Sequence, residues 1–257
     1  MLPAERKRRI VELVTAADGR SVEALADELE FSKATIRRDL RELEDRGLIE
    51  RSHGGAVPAT SVGDEQAYGQ KEVQNLDEKR AIADRAIEEI SEGQVVFFDA
   101  GTTTMQVATQ APKDGSMLAV TNSPRLALEV GTEDNDVKVT GGTLRRRTRS
   151  LVGPTAESFL EHTNFDLLFL GTNAIDADVG LTTPNEEEAR VKALMVERAT
   201  RVVLVADATK IGDRSFVTFA EIGDIDLFIT DGNIDDTGRE IFESESVPVE
   251  TVEAVSS

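Results

Sequence analysis

The chain has 257 residues, enough for one large domain or two ordinary ones, and its 49 acidic and 29 basic residues give a formal net charge of −20. It contains no cysteine, which excludes disulfides and thiolate chemistry, and its two histidines argue against a histidine-based zinc site, so we expect neither a metal nor a cofactor. The N-terminus reads as a charged helix, and no apolar run approaches the ~20 residues that span a membrane. We therefore expect a cytoplasmic protein.

The acidic charge is unevenly distributed along the chain. Residues 1–60 contain 11 basic and 12 acidic residues, whereas residues 61–257 contain 18 and 37. A charge of −20 argues against binding to nucleic acid, but this distribution leaves the N-terminal segment nearly neutral. Excess carboxylates with few aromatic residues are typical of proteins in molar salt, where the screening length falls to about 3 Å. We predict a halophilic source, with an acidic mesophilic protein as the alternative.

The first 57 residues have the pattern of three short helices followed by a β-hairpin. Apolar residues at helical spacing predict helices over 6–17, after Ser21 and after Ser32. The short connection between the second and third helices matches a helix–turn–helix. Two short apolar runs around Gly54-Gly55 predict a hairpin, which would form a wing beside the third helix.

The third helix combines an apolar face with a basic start. Ile36, Leu40 and Leu43 recur at helical spacing, and Ser32 is a natural N-cap. A basic, hydroxyl-bearing helix N-terminus suits a phosphate backbone and the acceptor-rich major groove of DNA. The alternative is a solvated helix whose arginines pair with neighbouring acids. The candidate DNA-binding residues of this helix are Ser32, Lys33, Thr35, Arg37, Arg38 and Arg41, and the competing acids are Asp39, Glu42, Glu44 and Asp45.

From residue 77 onward, short β-rich apolar runs alternate with helical segments. This alternation predicts a Rossmann-like, largely parallel sheet that helices cover on both faces. Residues 58–76 lack a clear period and are interpreted as a linker. The predicted organisation is a winged helix-turn-helix domain at 1–57, a linker at 58–76, an effector-sensing α/β domain at 77–252 and a tail at 253–257.

Four predicted strands end in small polar residues, at the edge of an open parallel sheet where ligands bind. After the first, a glycine and three threonines enter a helix, which predicts a phosphate cradle of N–H and hydroxyl donors. Turn chemistry that only caps the helix is the alternative. The candidate ligand-binding residues after the first three strands are Asp99, Gly101, Thr102, Thr103, Thr104, Thr121, Asn122, Ser123, Gly141 and Gly142, and the fourth strand is followed by Gly171-Thr172-Asn173.

Charged residues near the same loops add further candidates. Glu188 and Lys192 lie one helical turn apart, either as ligand contacts or as a simple surface pair. Asp207 and Lys210 follow another strand, from which Lys210 could reach a phosphate. The dense basic cluster over residues 145–149 fits an anionic ligand, a subunit contact or DNA, with an exposed loop as the alternative.

The N-terminal residues resemble those of the DeoR family of bacterial and archaeal repressors. The resemblance rests on Arg8-Arg9-Ile10, on Ser32-x-x-Thr35-Ile36-Arg37-Arg38-Asp39-Leu40, and on Arg51-x-His53-Gly54-Gly55-Ala56. It implies that Thr35, Arg37 and Arg38 contact operator DNA and that Asp39 orients an arginine. It also implies a phosphate contact for His53, whose alternative is a turn residue satisfied by the backbone.

The resemblance continues through the second domain and spans about residues 4–232. The matching motifs are Asp99-x-Gly101-Thr102-Thr103, Thr121-Asn122-Ser123, Gly141-Gly142, Glu188-x-x-x-Lys192 and Asp207-x-x-Lys210. The family implies a fold related to ribose-5-phosphate isomerase and a phosphorylated sugar effector that alters DNA affinity. Ala100 departs from the family pattern, which often has serine there, and this leaves the details of ligand contact open.

Motifs and resemblance together predict a repressor of carbohydrate (sugar or glycerol) metabolism genes that a phosphorylated sugar intermediate releases from double-stranded operator DNA. A homodimer or homotetramer is expected, because one short reading helix covers too few bases for specificity. No membrane partner is expected. The alternatives are an activator with the same DNA-binding head, and a sugar-phosphate isomerase-like enzyme that uses Glu188, Asp99 and Lys210 as acid, base and anchor.

Overall fold

The computed structural model of the chain describes residues 3–17, 19–44, 48–52, 54–58 and 65–254. The chain divides into two compact units, with the boundary between residues 64 and 65. The second unit therefore starts earlier than the predicted end of the linker at residue 76. The reason is that Glu65 is buried against the second unit, where it pairs with Arg145.

The first unit contains three helices and a small antiparallel sheet. Its elements are α1 (Pro3–Ala16), β1 (Arg20–Ser21), α2 (Val22–Leu29), α3 (Lys33–Glu44), β2 (Ile49–Ser52) and β3 (Gly55–Pro58). The strand order is β1-β3-β2, so the predicted hairpin gains a third, two-residue strand that the sequence pattern did not indicate. Gly55 permits this pairing, because a Cβ at this position would collide with the Arg20 carbonyl. The helices pack through Ile10, Leu25 and Ile36, which are fully buried.

The second unit alternates strands with helices over most of its length. Its helices are α4 (Tyr68–Lys71), α5 (Leu76–Ala86), α6 (Thr102–Gln110), α7 (Pro124–Val130), α8 (Pro154–Glu161), α9 (Glu186–Arg198) and α10 (Asp236–Ser244). Its strands are β4 (Val95–Phe98), β5 (Leu118–Thr121), β6 (Val137–Val139), β7 (Thr143–Leu144), β8 (Leu151–Val152), β9 (Leu167–Leu170), β10 (Ala174–Asp176), β11 (Gly180–Thr183), β12 (Val202–Val205), β13 (Val217–Ala220), β14 (Leu227–Asp231) and β15 (Val249–Val252).

Seven of these strands form one parallel sheet in the order β15-β14-β12-β9-β4-β5-β6. Each face of the sheet carries its own apolar core. Neighbouring residues of β4 show the alternation: Phe97 packs edge-on against Phe165 on one face, and Phe98 stacks on Phe169 on the other. The α/β class and the largely parallel sheet predicted from the sequence are confirmed.

The second unit also contains an antiparallel sheet of order β10-β11-β13 and the hairpin β7-β8, neither of which was predicted from the sequence. None of these strands has more than two consecutive apolar residues, so they lack the apolar run by which the central strands are recognised. Thr182 and Thr183 of β11 are nevertheless fully buried, and the Thr183 hydroxyl donates to Asn173 in the loop after β9. The small sheet thus supports a loop at the ligand-binding edge. No helix in the described part of the chain is long and apolar enough to cross a membrane.

Candidate functional site

The start of α3 is built around its N-cap. The Ser32 hydroxyl accepts a hydrogen bond from the Thr35 N–H at 3.2 Å, and the Ser32 carbonyl accepts one from Ile36 at 3.0 Å. The Ser32 and Thr35 hydroxyls are 2.9 Å apart. Ile36 is buried, so the cap fixes which residues of the first turn face outward.

The arginines of α3 are exposed, and the acids nearest in sequence pair with other residues. Asp39 binds Arg6 of α1. Glu42 binds Lys7, and Glu44 binds Arg51 of β2, while Asp45 lies outside the described residues. Within the part of the chain that the structure describes, none of Arg37, Arg38 and Arg41 forms an ion pair, and all three are exposed.

Two other candidates for DNA contact, Lys33 and His53, are not part of this unpaired set. Lys33 is exposed but forms an ion pair with Glu23 of α2, so its ammonium is partly engaged. His53 lies outside the described residues. The structure thus offers a surface on α3 made of Thr35, Arg37, Arg38 and Arg41.

A cavity opens in the second unit where the central strands β4, β9 and β12 end. It brings together most of the effector residues that the sequence predicts: Asp99, Gly101, Thr102, Thr103, Thr104, Glu188, Lys192, Asp207 and Lys210. It is also lined by Gly171, Thr172 and Asn173, the polar residues noted after the fourth strand, and by residues that were not predicted as ligand contacts: Gln66, Tyr68, Lys71, Lys79, Ala100, Thr148, Val205 and Ala206.

The N-terminus of α6 forms one wall of this cavity. Gly101 is the N-cap in an extended conformation and has no side chain to cap the helix. The first N–H groups of a helix have no intrahelical acceptor, so they point toward the cavity as donors with the positive end of the dipole. Thr104 anchors the turn by donating to the Asp99 carbonyl at 2.6 Å.

Asp99 and Lys192 form a buried ion pair at the base of the cavity. Lys192 also donates to the Gly171 carbonyl at 2.8 Å, and Asp99 Oδ2 accepts from the Gly171 N–H at 3.0 Å. The other carboxylate oxygen, Asp99 Oδ1, is buried and has no hydrogen-bond partner among the described residues. Because a carboxylate oxygen only accepts, this atom suits a hydroxyl group of a ligand.

Two lysines that the sequence analysis missed, Lys71 and Lys79, also line the cavity. Lys79 Nζ donates to the carbonyls of Lys71 and Gln74 at 2.5 and 2.6 Å. Burial, helped by the charge of nearby Lys210, lowers the pKa of each lysine to about 8. In the sequence, Lys71 falls in the predicted linker and Lys79 on a helix, and no pattern marks either as a ligand contact. Both reach the cavity because the segment before α5 packs against the rest of the second unit.

Glu188 is held near the start of α9, whose N-cap Asn185 accepts from the Glu188 N–H at 3.1 Å. Its carboxylate accepts from Ser150 at 2.5 Å and from Thr148, and it lies 2.8 Å from Arg145 Nη1. Burial alone would raise the pKa of Glu188, but the two hydroxyl donors and the charges of Arg145 and Lys192 outweigh it and hold the pKa below its usual value. Glu188 is therefore a firmly ionised acceptor.

Asp207 follows β12 and fixes the opposite wall. Its Oδ1 accepts from Asn75 at 3.0 Å and from Thr209. Burial opposes ionisation of Asp207, but Lys210, the Thr209 hydroxyl and Lys79 together lower its pKa. The sequence candidates Asp207 and Lys210 thus belong to the same electrostatic cluster.

The structure places the other five predicted effector residues outside the cavity lining. Thr121 donates to the Phe98 carbonyl at 2.7 Å, Asn122 Oδ1 accepts from the Ala100 N–H at 2.8 Å, and Ser123 caps α7. Gly141 and Gly142 have positive φ, and a Cβ on Gly142 would lie 2.5 Å from the Val152 carbonyl. These residues shape the neighbouring loops, and Asn122 supports the one that carries the α6 cradle.

Comparison with known families agrees with the division of the chain. Residues 6–62 match the DeoR-like helix-turn-helix domain, and residues 74–232 match the DeoR C terminal sensor domain. Among solved structures, ribose 5-phosphate isomerase A from Neisseria gonorrhoeae shares 16% sequence identity over 53% of each chain, with a TM-score of 0.36. The tetrameric eIF2B-beta2-delta2 complex from C. thermophilum shares 15% over 72% of this chain and 50% of that one, with a TM-score of 0.41.

Curated relatives cover nearly the whole chain. HTH-type transcriptional regulator GlpR of the halophilic archaeon Haloferax volcanii is 75% identical over 97% of this chain and 98% of its own. The regulator YulB of Bacillus subtilis is 36% identical over 98% of both chains, and a putative aga operon transcriptional repressor of Escherichia coli O157:H7 is 35% identical over 90% and 87%. The acidic composition fits the halophilic origin of the first relative. The chain belongs to the DeoR family of transcriptional regulators.

Proposed function

We propose that this regulator represses carbohydrate-metabolism genes and that a phosphorylated sugar or glycerol derivative, bound in the cavity of the second unit, releases it from operator DNA. The observation that carries the proposal is the cavity itself. Lys71, Lys79 and Lys210 line the same cavity as the first residues of α6, in a unit whose charge is otherwise strongly acidic. Such a concentration of positive charge suits a phosphoryl group.

The same cavity also accounts for a sugar or polyol moiety. The buried Asp99 Oδ1 accepts from a hydroxyl group, and the hydroxyl-bearing wall of Thr102 and Thr103 offers further hydrogen bonds. A ligand with a phosphate at one end and hydroxyls at the other therefore matches more of the lining than inorganic phosphate does.

The DNA-binding role is assigned to the exposed start of α3. Arg37, Arg38 and Arg41 are left without acidic partners among the described residues, which favours base-edge and phosphate contacts over a self-paired surface. Thr35 and the Ser32 cap lie at the same helix start, Lys33 shares its charge with Glu23, and His53 remains a candidate from its motif alone. A symmetric dimer or tetramer would present two such helices to a palindromic operator.

Sensing fits the carboxylates of the cavity better than catalysis. The isomerase alternative needs Glu188 or Asp99 as a proton-transferring group. Three donors hold Glu188 in its ionised form with a lowered pKa, which makes it a poor acid as well as a weak base, and Oδ2 of Asp99 is occupied by Lys192 and the Gly171 N–H. The match of residues 74–232 to the DeoR C terminal sensor domain also supports a sensor.

For release to occur, the ligand must bind more tightly to the DNA-incompetent arrangement than to the DNA-competent one. The test is a thermal-shift screen of phosphorylated sugars and glycerol 3-phosphate against their unphosphorylated counterparts. Each hit is then added to the complex with duplexes that the protein itself selects from a random library. We expect a phosphorylated hit to raise the melting temperature and dissociate the complex. Stabilisation by unphosphorylated sugars alone, or turnover of a sugar phosphate, would contradict the proposal.

A further inference from the structure

The arginine-rich loop between β7 and β8 binds a segment of the same unit. Arg145 forms a two-pronged ion pair with Glu65, with Nη1–Oε1 and Nη2–Oε2 distances of 2.8 and 3.0 Å. Arg147 Nε donates to the Glu65 carbonyl, and the Tyr68 N–H donates to the Arg147 carbonyl at 2.8 Å. The Arg149 guanidinium lies 4.9 Å from the centre of the Tyr68 ring. Three arginines of the cluster thus hold the start of the segment before α5.

This segment, residues 65–76, is called the strap below because it lies across the cavity. Its side chains in the cavity lining are those of Gln66, Tyr68 and Lys71. At its far end, Asn75 Nδ2 donates to Asp207 Oδ1 at 3.0 Å, and Lys79 of α5 donates to two of its carbonyls. Contacts at both ends therefore hold the strap, at one end to the loop between β7 and β8 and at the other to Asp207 after β12.

Arg145 connects the strap to the inside of the cavity. The nitrogen that bonds to Glu65, Nη1, also lies 2.8 Å from Oε1 of Glu188, which lines the cavity. Glu65 and Glu188 are 6% and 5% exposed, so both carboxylates are buried and depend on neighbouring donors for their stabilisation. The guanidinium has enough N–H donors to bond to both carboxylates at once, so the two contacts compete through charge. Glu65 and Glu188 share one positive charge, and a weaker field from Glu188 strengthens the attraction between Arg145 and Glu65.

We propose that Arg145 is a positioning residue that latches the strap, and that a ligand hydroxyl donating to Glu188 tightens this latch by releasing Arg145 to Glu65. The inference rests on the proposed function, since it assigns a regulatory role to the same cavity. Residue 65 is the first of the second unit. The latch therefore fixes the point from which the chain continues to the DNA-binding unit, and cavity occupancy changes how firmly that point is held.

Amide hydrogen exchange of the full chain without ligand tests the latch. The reporters are four strap N–H groups that donate to backbone carbonyls, at Tyr68, Gln70, Lys71 and Glu72. In Glu65→Gln a neutral side chain faces Arg145, and we expect these amides to exchange about tenfold faster. In Glu188→Gln the competing charge is gone and Arg145 turns to Glu65, so we expect exchange to slow by about threefold or more.

Arg146→Gln is the matched control. Arg146 lies in the same loop, is exposed and forms no side-chain hydrogen bond or ion pair with the described residues, so its replacement should leave strap exchange unchanged. Faster amide exchange in Glu65→Gln together with slower exchange in Glu188→Gln supports a guanidinium shared by the two carboxylates. Faster exchange in Glu188→Gln, the result expected if the cluster only holds the fold together, would overturn the latch, and so would a Glu65→Gln variant that matches Arg146→Gln.

Exchange in β4 and β9 reports whether the unit stays folded. If Glu65→Gln loosens these strands as well, Glu65→Asp replaces it, because the shorter side chain keeps the charge but reaches Arg145 less well. Exchange of the strap amides must then be faster in Glu65→Asp and slower in Glu188→Gln. Since no ligand is present, failure of the effector screen leaves this result standing, and failure of the exchange test leaves effector binding untouched.

Discussion

Arg6 and Asp39 form a buried ion pair between α1 and the helix assigned to DNA, with Arg6 Nε 2.5 Å from Asp39 Oδ2 and Nη2 3.2 Å from Oδ1. The Arg6 guanidinium also lies 4.5 Å from the centre of the Phe31 ring. The resemblance led us to expect that Asp39 orients an arginine. The arginine lies in α1, so Asp39 acts as a support behind α3 and leaves the outward-facing arginines without this acid.

Replacing Asp39 with alanine should destabilise the first unit by about 2 kcal/mol, because Arg6 is left buried without its charge-assisted hydrogen bonds. Urea unfolding monitored by amide exchange in residues 19–44 would measure this loss. Arg37→Ala is the control, since an exposed side chain without an ion pair should leave the unfolding transition in place. An Asp39→Ala protein with unchanged unfolding would show that the pair contributes nothing to the position of α3.

Arg37→Ala and Arg38→Ala should each abolish the gel shift with a selected operator while leaving ligand stabilisation of the second unit intact. A base-edge contact of this kind contributes about 1–3 kcal/mol to discrimination. At molar salt, counterion release adds little affinity, so loss of a base contact should be felt more strongly there than at low salt. Arg80→Ala, an exposed arginine of α5, serves as the control. Normal operator binding by either variant would remove that arginine from the interface.

Thr102→Ala should have the opposite phenotype. Thr102 is the first residue of α6 and lines the cavity, so its loss weakens the ligand's phosphoryl contact without touching α3. The variant should bind operator normally and keep it in the presence of a sugar phosphate that releases the wild-type protein. Titration of the complex with this ligand gives the measurement. Release at the wild-type concentration would exclude Thr102 from the phosphate cradle.

The elements that could be predicted from the sequence are those whose burial leaves a periodic pattern. The strand Leu167–Leu170 is apolar at every position, and the helix Lys33–Glu44 has apolar residues at helical spacing, so both were located correctly. The strand Gly180–Thr183 is just as buried, but its threonines hydrogen-bond inside the protein and give no apolar signal. Polar residues that are buried because they are bonded are invisible to a periodicity argument.

The candidate site shows the same limit. Loops after strands point to the sheet edge, and this rule found Asp99, Thr102 and Lys210. The strap follows no such rule. Its Lys71 reaches the cavity because Glu65 and Asn75 bond to residues far away in sequence, Arg145 and Asp207. Conversely, Thr121 and Gly142 follow strands yet have structural roles, since a strand-end loop can also be occupied by supporting hydrogen bonds.

Thermal melting in potassium chloride should show stabilisation by salt. The second unit carries most of the chain's negative charge, and raising the salt from 0.1 to 1 M shortens the screening length from about 10 to about 3 Å. Some carboxylates are already neutralised by ion pairs, as Glu89 and Glu250 are by Arg85. Salt reduces the repulsion between the carboxylates that have no such partner. We expect the melting temperature to rise steadily over this range. A constant or falling melting temperature would contradict the halophilic interpretation.

Binding of a phosphorylated ligand should weaken as the pH rises above about 8, which is the lowered pKa of Lys71. A phosphate monoester loses its second proton near pH ~6, so between these values a dianion meets a charged ammonium. Contact with the dianion raises the pKa of Lys71 again, so binding takes up a proton wherever the free lysine is neutral. Affinity should therefore fall by up to about tenfold per pH unit between pH 8 and the higher pKa of the complex.

Calorimetry at pH 7, 8 and 9, in buffers with different ionisation enthalpies, measures both the affinity and the proton uptake. In Lys71→Gln, the affinity should be lower at pH 7 and its dependence on pH shallower. Equal affinities at pH 7 and 9 in the wild-type protein would mean that neither Lys71 nor Lys79 contacts the phosphoryl group.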